Sequence, residues 1–166
     1  RNLAERFNHL YSPTFTVPEP FIAKEGARIM SLQEPWKKMS KSDPNSNSCI
    51  FLHDEDALIM NKIKRAVTDS GTDIIFDIEN RPGVSNLITL YHVATGKSIK
   101  EIETEFAGLG YAPFKEAVGN AMVDLISPIR NTFNDLRSHP DEISALLKSG
   151  AQKASKQAFK TLRKVY

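Results

Sequence analysis

Residues 26–45 read GARIMSLQEPWKKMSKSDPN, and this stretch decides how the chain is organised. ARIMSL, at residues 27–32, is a short apolar run after Gly26, and it predicts a buried strand. KKMSKSDPNS, at residues 37–46, contains three lysines and three serines and predicts a polar loop. A strand that leads into a basic loop, next to a helical region, is a common place for a functional site.

Beyond this loop the sequence is typical of a helical protein. Asp54 is placed to cap a helix at about residues 55–67, and Gly71 is expected to stop it. TDIIFDIE then predicts an extended segment, because its apolar side chains alternate. RPGVSN is a turn that leads into a helix, which we expect Ser85 to cap and Gly96 to close.

Two long helices are predicted near the end of the chain, after a short one that starts with a capping box of Ser98 and Glu101. The first long helix follows Pro113, and Pro128 is expected to kink or break it. The second starts near Pro140 and carries an apolar stripe that predicts a core face. The stripe consists of Ile143, Leu147, Ala151, Ala154, Ala158, Leu162 and Val165.

Charge and cysteine content narrow the class of protein. The net charge of +2 is too small to argue for a nucleic-acid partner by itself. No acid follows Glu142, so the end of the chain is a basic face, either a solvated helix surface or a surface that contacts phosphate. Cys49 is the single cysteine, so an internal disulfide is excluded and a reducing cytoplasm is expected. No apolar run approaches the length of a membrane span.

The basic loop has the residue types that hold a polyphosphate. Lys38 and Lys41 supply positive charges with rotatable donors, and Ser40 and Ser42 add hydroxyl groups. In phosphoryl or nucleotidyl transfer, such groups stabilise the charge that develops on phosphate oxygens. A lysine-rich surface loop is also ordinary, so the residue types alone leave both interpretations open.

The order of the residues distinguishes a phosphate-binding loop from an ordinary surface loop. KMSKS at residues 38–42 matches the KMSKS signature of class I aminoacyl-tRNA synthetases without substitution. Together with residues 26–45, the stretches IKRAVTDSG and RPGVSNLITLY resemble the C-terminal half of bacterial-type tryptophanyl-tRNA synthetases, and GAQKASKQAFKTLRKVY resembles the terminal helix of that family. The chain begins without Met, in what reads as the middle of a helix at residues 1–10, so we expect a fragment of a longer protein.

This resemblance implies a mainly α fold with two parts. Residues 1–50 would be the remnant of a Rossmann-like α/β catalytic domain, namely its last strand and the signature loop. Residues 51–166 would be a helical domain of the type that binds the tRNA anticodon. The parent enzyme would be a cytoplasmic ligase, expected to be a homodimer, that uses ATP with Mg²⁺ to form tryptophanyl-adenylate and then charges tRNA. None of the four histidines belongs to a HIGH-type motif, so this chain alone is expected to be inactive.

The resemblance also implies roles for individual residues. Lys38 and Lys41 would be catalytic, through the ATP phosphates or the departing pyrophosphate. The expected ATP-binding residues are Ile29, Lys38, Met39, Ser40, Lys41 and Ser42, and the loop is expected to be mobile without ATP. The candidate tRNA-binding residues are Arg81, Arg130 and Arg137. No protein ligand for a metal is assigned, and Asn86 is expected to act at a helix start.

Three questions stay open at this level. Trp36 departs from the small or polar residue expected beside the loop, and it could stack on a partner or cover apolar surface. A tyrosyl-tRNA synthetase shares the architecture, although AVTDSG and PGVSNL favour tryptophan. The other alternative is a helical RNA-binding module without chemistry.

Overall fold

The computed structural model describes residues 1–22 and 26–166, and these residues are mainly α-helical, as the sequence predicts. The described parts contain six α-helices and no β-strand. The helices are α1 (Asn2–Leu10), α2 (Asp56–Lys64), α3 (Pro82–Thr95), α4 (Ile99–Glu105), α5 (Tyr111–Arg137) and α6 (Pro140–Leu162). A short 3₁₀ turn, Ser46–Ser48, lies between α1 and α2. None of the helices in these residues is both long enough and apolar enough to cross a membrane.

The segment predicted as a strand, residues 27–32, is paired over a single residue. Met30 and Lys38 form one isolated antiparallel bridge, and Ser31 and Leu32 beside it are 1% exposed. The predicted burial is therefore only partial, because Ala27 and Arg28 are exposed and Ile29 and Met30 are half-buried, and the run does not extend into a strand. TDIIFDIE likewise forms no strand; Ile74 is buried, whereas Ile78 is exposed.

The chain forms two compact units. The first unit consists of Arg1–Ile22 and Phe133–Tyr166. Asn8 organises its first part, since its Oδ1 accepts hydrogen bonds from the N–H groups of Thr14 and Phe15. The core face predicted for the last helix is wrong within the described residues, because α6 buries no side chain, and Leu147 is 67% exposed.

The second unit continues to Thr132 and holds the hydrophobic core. Helices α2 to α5 contribute one apolar face each, and most of these side chains are less than 2% exposed. Burying such a side chain contributes about 1.5–3 kcal/mol relative to leaving it exposed. The largest contributors are Ile59, Ile63, Leu87, Ile88, Ile102, Phe114 and Val118. The boundary predicted between residues 50 and 51 follows the family's domains and stays a prediction.

Local capping signals gave mixed results. The capping box of Ser98 and Glu101 is present, and Gly96 ends α3 with a left-handed φ of 74°. Ser85 is not the cap of α3: the helix starts at Pro82, after the N-cap residue Arg81, because proline is favoured in a first turn that needs no N–H donor. The Ser85 hydroxyl instead accepts the N–H of Asp77 at 2.8 Å.

The predicted bounds of α2 were wrong, and of the kink or break predicted at Pro128 the break is absent, while the kink stays a prediction. Helix α2 starts at Asp56 and ends at Lys64, well before Gly71, and Asp54 does not cap it because its carboxylate is bonded inside the protein. Helix α5 continues through Pro128 without a break. A contact with another helix holds the turn around this proline, since Ser127 donates a 2.7 Å hydrogen bond to Asp56 in α2.

Candidate functional site

The signature loop, residues 38–42, starts from a short hairpin. The N–H of Met39 donates to the carbonyl of Ile29 at 2.9 Å, and the N–H of Ser31 donates to the carbonyl of Lys37 at 2.8 Å. Ile29 and Met39 are partly buried against the hydrophobic core. The structure therefore brings Ile29, Lys38 and Met39 together at the base of the loop, which is where the family resemblance expects adenine contacts.

Asn86 completes this base from the opposite side. Its Oδ1 accepts the N–H of Met30 at 2.9 Å, and its Nδ2 donates to the carbonyl of Met30 at 2.8 Å. The side chain sits in the first half of α3 and is 5% exposed. The expected helix-start role is therefore replaced by a contact 56 residues away along the chain. The available signal was an amide residue within the apolar run VSNLI.

A series of small turns shapes the loop itself. The hydroxyls of Ser40 and Ser42 lie 3.0 Å apart, and the carboxylate of Asp43 accepts the N–H of Asn45 at 2.8 Å. At the far end, the carbonyl of Ser48 accepts the N–H of Leu32 at 3.0 Å, which returns the chain to the buried segment. These turns use side chains of Ser, Asp and Asn, which favour such local bonds. The predicted mobility of the loop stays a prediction.

The three lysines of the loop differ in their partners. Lys37 forms a 2.7 Å ion pair with Glu34, and the hydrogen bond to that carboxylate raises the pKa of Lys37. Lys38 and Lys41 are exposed, and no described carboxylate forms an ion pair with either of them. Ammonium groups without a counter-charge can bind an anion. The catalytic pair named from the sequence is thus available, while its neighbour Lys37 is engaged.

A cavity of about 380 Å³ lies beside the hairpin. Trp36, Met30, Ile78 and Asn86 line it, and Trp36 remains 66% exposed. Trp36 therefore forms part of a cavity wall next to the loop, and the question of what it contacts stays open.

Arg81, a candidate for tRNA binding, is held by internal partners. Its guanidinium donates to both carboxylate oxygens of Asp69, at 2.9 and 3.1 Å, and to the hydroxyl of Tyr111 at 2.6 Å. The hydroxyl of Tyr111 in turn donates to Asp69. Arg81 holds the pKa of Asp69 well below its usual range, and burial followed by the bond to Asp69 raises the pKa of Tyr111 to about 12.

The other two candidate arginines contrast with each other. Arg130 is 6% exposed, donates to the backbone carbonyl of Asp54, and pairs with Asp56 at 2.6 Å. Arg137, in the last turn of α5, is exposed and belongs to no ion pair within the described residues. Arg130 is thus bonded inside the protein, as Arg81 is, whereas Arg137 is exposed, and the tRNA contacts of all three arginines stay a prediction.

A metal site is not formed by the part of the chain that the structure describes. No group of three or more His, Cys, Asp or Glu side chains there could hold an ion.

Comparison with known proteins places this loop and helical fold in a family. Tryptophan–tRNA ligase of Bacillus anthracis is 51% identical over 165 residues, which is 99% of this chain and 50% of that protein. The enzyme of the same name from Oceanobacillus iheyensis is 52% identical over 164 residues, with the same coverage. The chain thus spans about half the length of the curated relatives it matches.

Solved structures agree with the sequence relatives. Tryptophanyl-tRNA synthetase from Mycoplasma pneumoniae matches 79% of this chain, and 42% of its own, with a TM-score of 0.72 and 31% identity. The enzyme from Campylobacter jejuni, solved with ADP and tryptophan, matches 100% of this chain and 50% of its own, with a TM-score of 0.65 and 26% identity. The family model "tRNA synthetases class I (W and Y)" matches residues 1–127, and this chain therefore belongs to that family.

Proposed function

We propose that this chain supplies the signature loop of a tryptophan–tRNA ligase, which activates tryptophan with ATP and transfers it to tRNA. The observation that carries the proposal is the state of the loop lysines. Lys38 and Lys41 are exposed and lack an ion-pair partner among the described residues, on a loop whose base is fixed by hydrogen bonds at both ends.

The geometry suits the first step of that reaction. A carboxylate oxygen of tryptophan attacks the α-phosphorus of ATP, and the bond from that phosphorus to the pyrophosphate oxygen breaks. Negative charge then grows on the departing pyrophosphate. The ammonium groups of Lys38 and Lys41 would stabilise that charge, and Ser40, Ser42 and backbone N–H groups would add hydrogen bonds. Ile29 and Met39, partly buried at the loop base, would lie against adenine.

The choice of tryptophan as the amino acid rests on the similarity of this chain to its sequence relatives. The family model covers both tryptophan and tyrosine enzymes, whereas the relatives that match 99% of this chain at 51% and 52% identity are named for tryptophan. This favours tryptophan over the tyrosyl alternative. We likewise propose that tRNA is the second substrate, and that the full-length enzyme is a homodimer that acts in the cytoplasm.

A chimeric enzyme tests the proposal. In it, this chain replaces the half of the Bacillus anthracis ligase that it matches. We expect the purified chimera to exchange pyrophosphate into ATP when tryptophan is present, and not when tyrosine replaces it. A folded chimera without tryptophan-dependent exchange would overturn the proposed function, and exchange driven by tyrosine would overturn the choice of amino acid.

A further inference from the structure

Met30 has two backbone groups that the hairpin does not use. The hairpin bonds are made by its neighbours, Ile29 and Ser31, with Met39 and Lys37. In an antiparallel pair, the N–H and C=O of the residue between two such bonds point to the opposite edge. For Met30 this edge faces α3 rather than another strand, and unpaired buried backbone groups there would be costly.

Asn86 satisfies both groups at once. Its amide donates to the carbonyl of Met30 and accepts from the N–H, at 2.8 and 2.9 Å, so one side chain takes the place of a neighbouring strand. A two-point contact fixes the direction as well as the position of the Met30 backbone. Since Met30 forms the bridge with Lys38, the position of Lys38 depends on the same contact.

The helix that carries Asn86 is itself firmly held. Val84, Leu87 and Ile88 are no more than 1% exposed. At Gly83 the helix approaches the backbone so closely that a Cβ atom there would lie 2.3 Å from the carbonyl oxygen of Val67. The N–H of Val67 donates to Leu32 at 2.7 Å, so α3 is tied to the hairpin by a second route.

From this geometry we infer that Asn86 is a positioning residue for the signature loop, acting through the Met30 backbone to set where Lys38 and Lys41 meet the phosphates. The inference rests on the proposed function for its catalytic consequence. The hydrogen bonds of the Asn86 side chain go to the Met30 backbone and not to the loop lysines. Its effect is to hold the hairpin from which the loop starts.

Amide hydrogen exchange of the 166-residue chain tests the contact without any enzyme assay. Asn86→Leu keeps the side-chain size and removes both bonds, whereas Asn86→Asp keeps the acceptor for the Met30 N–H. Ser85→Ala is the matched control, because Ser85 is equally buried on the same helix but bonds Asp77. We expect Asn86→Leu to accelerate exchange at both Met30 and Met39 by about tenfold or more, Asn86→Asp to be intermediate, and Ser85→Ala to leave both amides unchanged.

Acceleration at Met30 alone, with Met39 unchanged, would overturn the inference, because the contact would then satisfy a backbone group without holding the loop. Acceleration of all core amides to the same extent would also overturn it, since Asn86 would then act on global stability. A thermal melt of each variant shows whether its global stability has changed, and so distinguishes the local outcome from the global one.

The chimera tests the catalytic consequence. We expect Asn86→Leu to lower kcat of tryptophan-dependent exchange by about 10- to 100-fold, with KM for tryptophan unchanged, because a small displacement of a catalytic group is costly. In the Lys41→Ala background the same substitution should lose most of its effect, since both act on one loop. Fully additive effects, or equal losses from Ser85→Ala, would overturn the positioning role. If the unmodified chimera is inactive, the proposed function is wrong and the catalytic role of Asn86 is wrong with it. The amide hydrogen-exchange rates of the 166-residue chain still decide whether Asn86 holds the loop.

Discussion

The ammonium of Lys62 lies 2.6 Å from the carboxylate of Asp54, and the two side chains are only 2% and 4% exposed. The same ammonium donates to the carbonyl of Cys49 at 2.9 Å. Cys49 follows directly after the 3₁₀ turn Ser46–Ser48, which comes after the signature loop in the sequence, so this buried pair ties the segment beyond the loop to α2. Removing one partner of such a pair leaves an uncompensated buried charge.

We therefore expect Lys62→Met to lower the free energy of unfolding by about 3–5 kcal/mol. The control is Lys97→Met, since Lys97 pairs with Glu105 where both side chains are about 40% exposed. An exposed pair contributes only about 0.2–1 kcal/mol. Urea denaturation measures both variants, and equal losses would mean that burial adds nothing to the Lys62 pair.

A second prediction concerns the approach of α3 to Val67. Gly83→Ala should destabilise the protein strongly, because the new Cβ would lie 2.3 Å from a backbone oxygen that cannot move without displacing the chain. Gly150→Ala is the control, since nothing lies within 4 Å of its Cβ position in α6. There alanine should be neutral or stabilise by about 0.5–1 kcal/mol through helix propensity. Thermal unfolding compares them, and similar melting temperatures would contradict the close approach.

The sequence predicted well those features that depend on neighbouring residues. The capping box at Ser98 and the left-handed Gly96 are set by local backbone chemistry, and both are present. The KMSKS signature could likewise be identified from the sequence, because its residues are consecutive. The mainly α fold followed from long amphipathic stretches.

Contacts between distant residues were not predictable in the same way. Asp54 has the sequence context of a helix cap, yet its carboxylate bonds Lys62, because burial places an ammonium beside it. Asn86 and Arg130 similarly find partners 56 and 76 positions away. A local pattern contains no information on which distant backbone group a side chain will satisfy, so these roles required the structure.

The pair of Tyr111 and Asp69 predicts a pH dependence. Burial and the bond to Asp69 raise the pKa of Tyr111 from 10.0 to about 12, so the folded state favours the neutral phenol. This contribution to stability is complete below pH 10 and is lost as the pH rises from 10 towards 12. Ultraviolet titration of tyrosinate should show a late ionisation step from Tyr111. Tyr111→Phe should remove that late step, and Tyr11→Phe, at an exposed site, should keep it.

The loop lysines give a prediction with an internal control. In the chimera, Lys38→Ala and Lys41→Ala should each lower the rate constant of adenylate formation by about 10²–10³-fold, because each removes a charge that stabilises the transition state. Lys37→Ala should have a much smaller effect, since its ammonium is engaged by Glu34. Rapid-quench measurement of adenylate formation compares the three variants. Equal effects at all three positions would show that only net charge matters.

The last prediction separates the arginines named for tRNA binding. Arg130→Ala should destabilise the fold without a specific effect on RNA, because this buried guanidinium bonds Asp54 and Asp56.

Arg137→Ala should leave the melting temperature unchanged, since its side chain is exposed, and should weaken binding of tRNA to the chimera. If Arg137 contacts a phosphate, the slope of log affinity against log salt should fall by about 1. If it reads an unstacked anticodon base, competition by an anticodon-swapped tRNA should improve relative to the tryptophan tRNA. Unchanged affinity at every salt concentration would remove Arg137 from the binding surface.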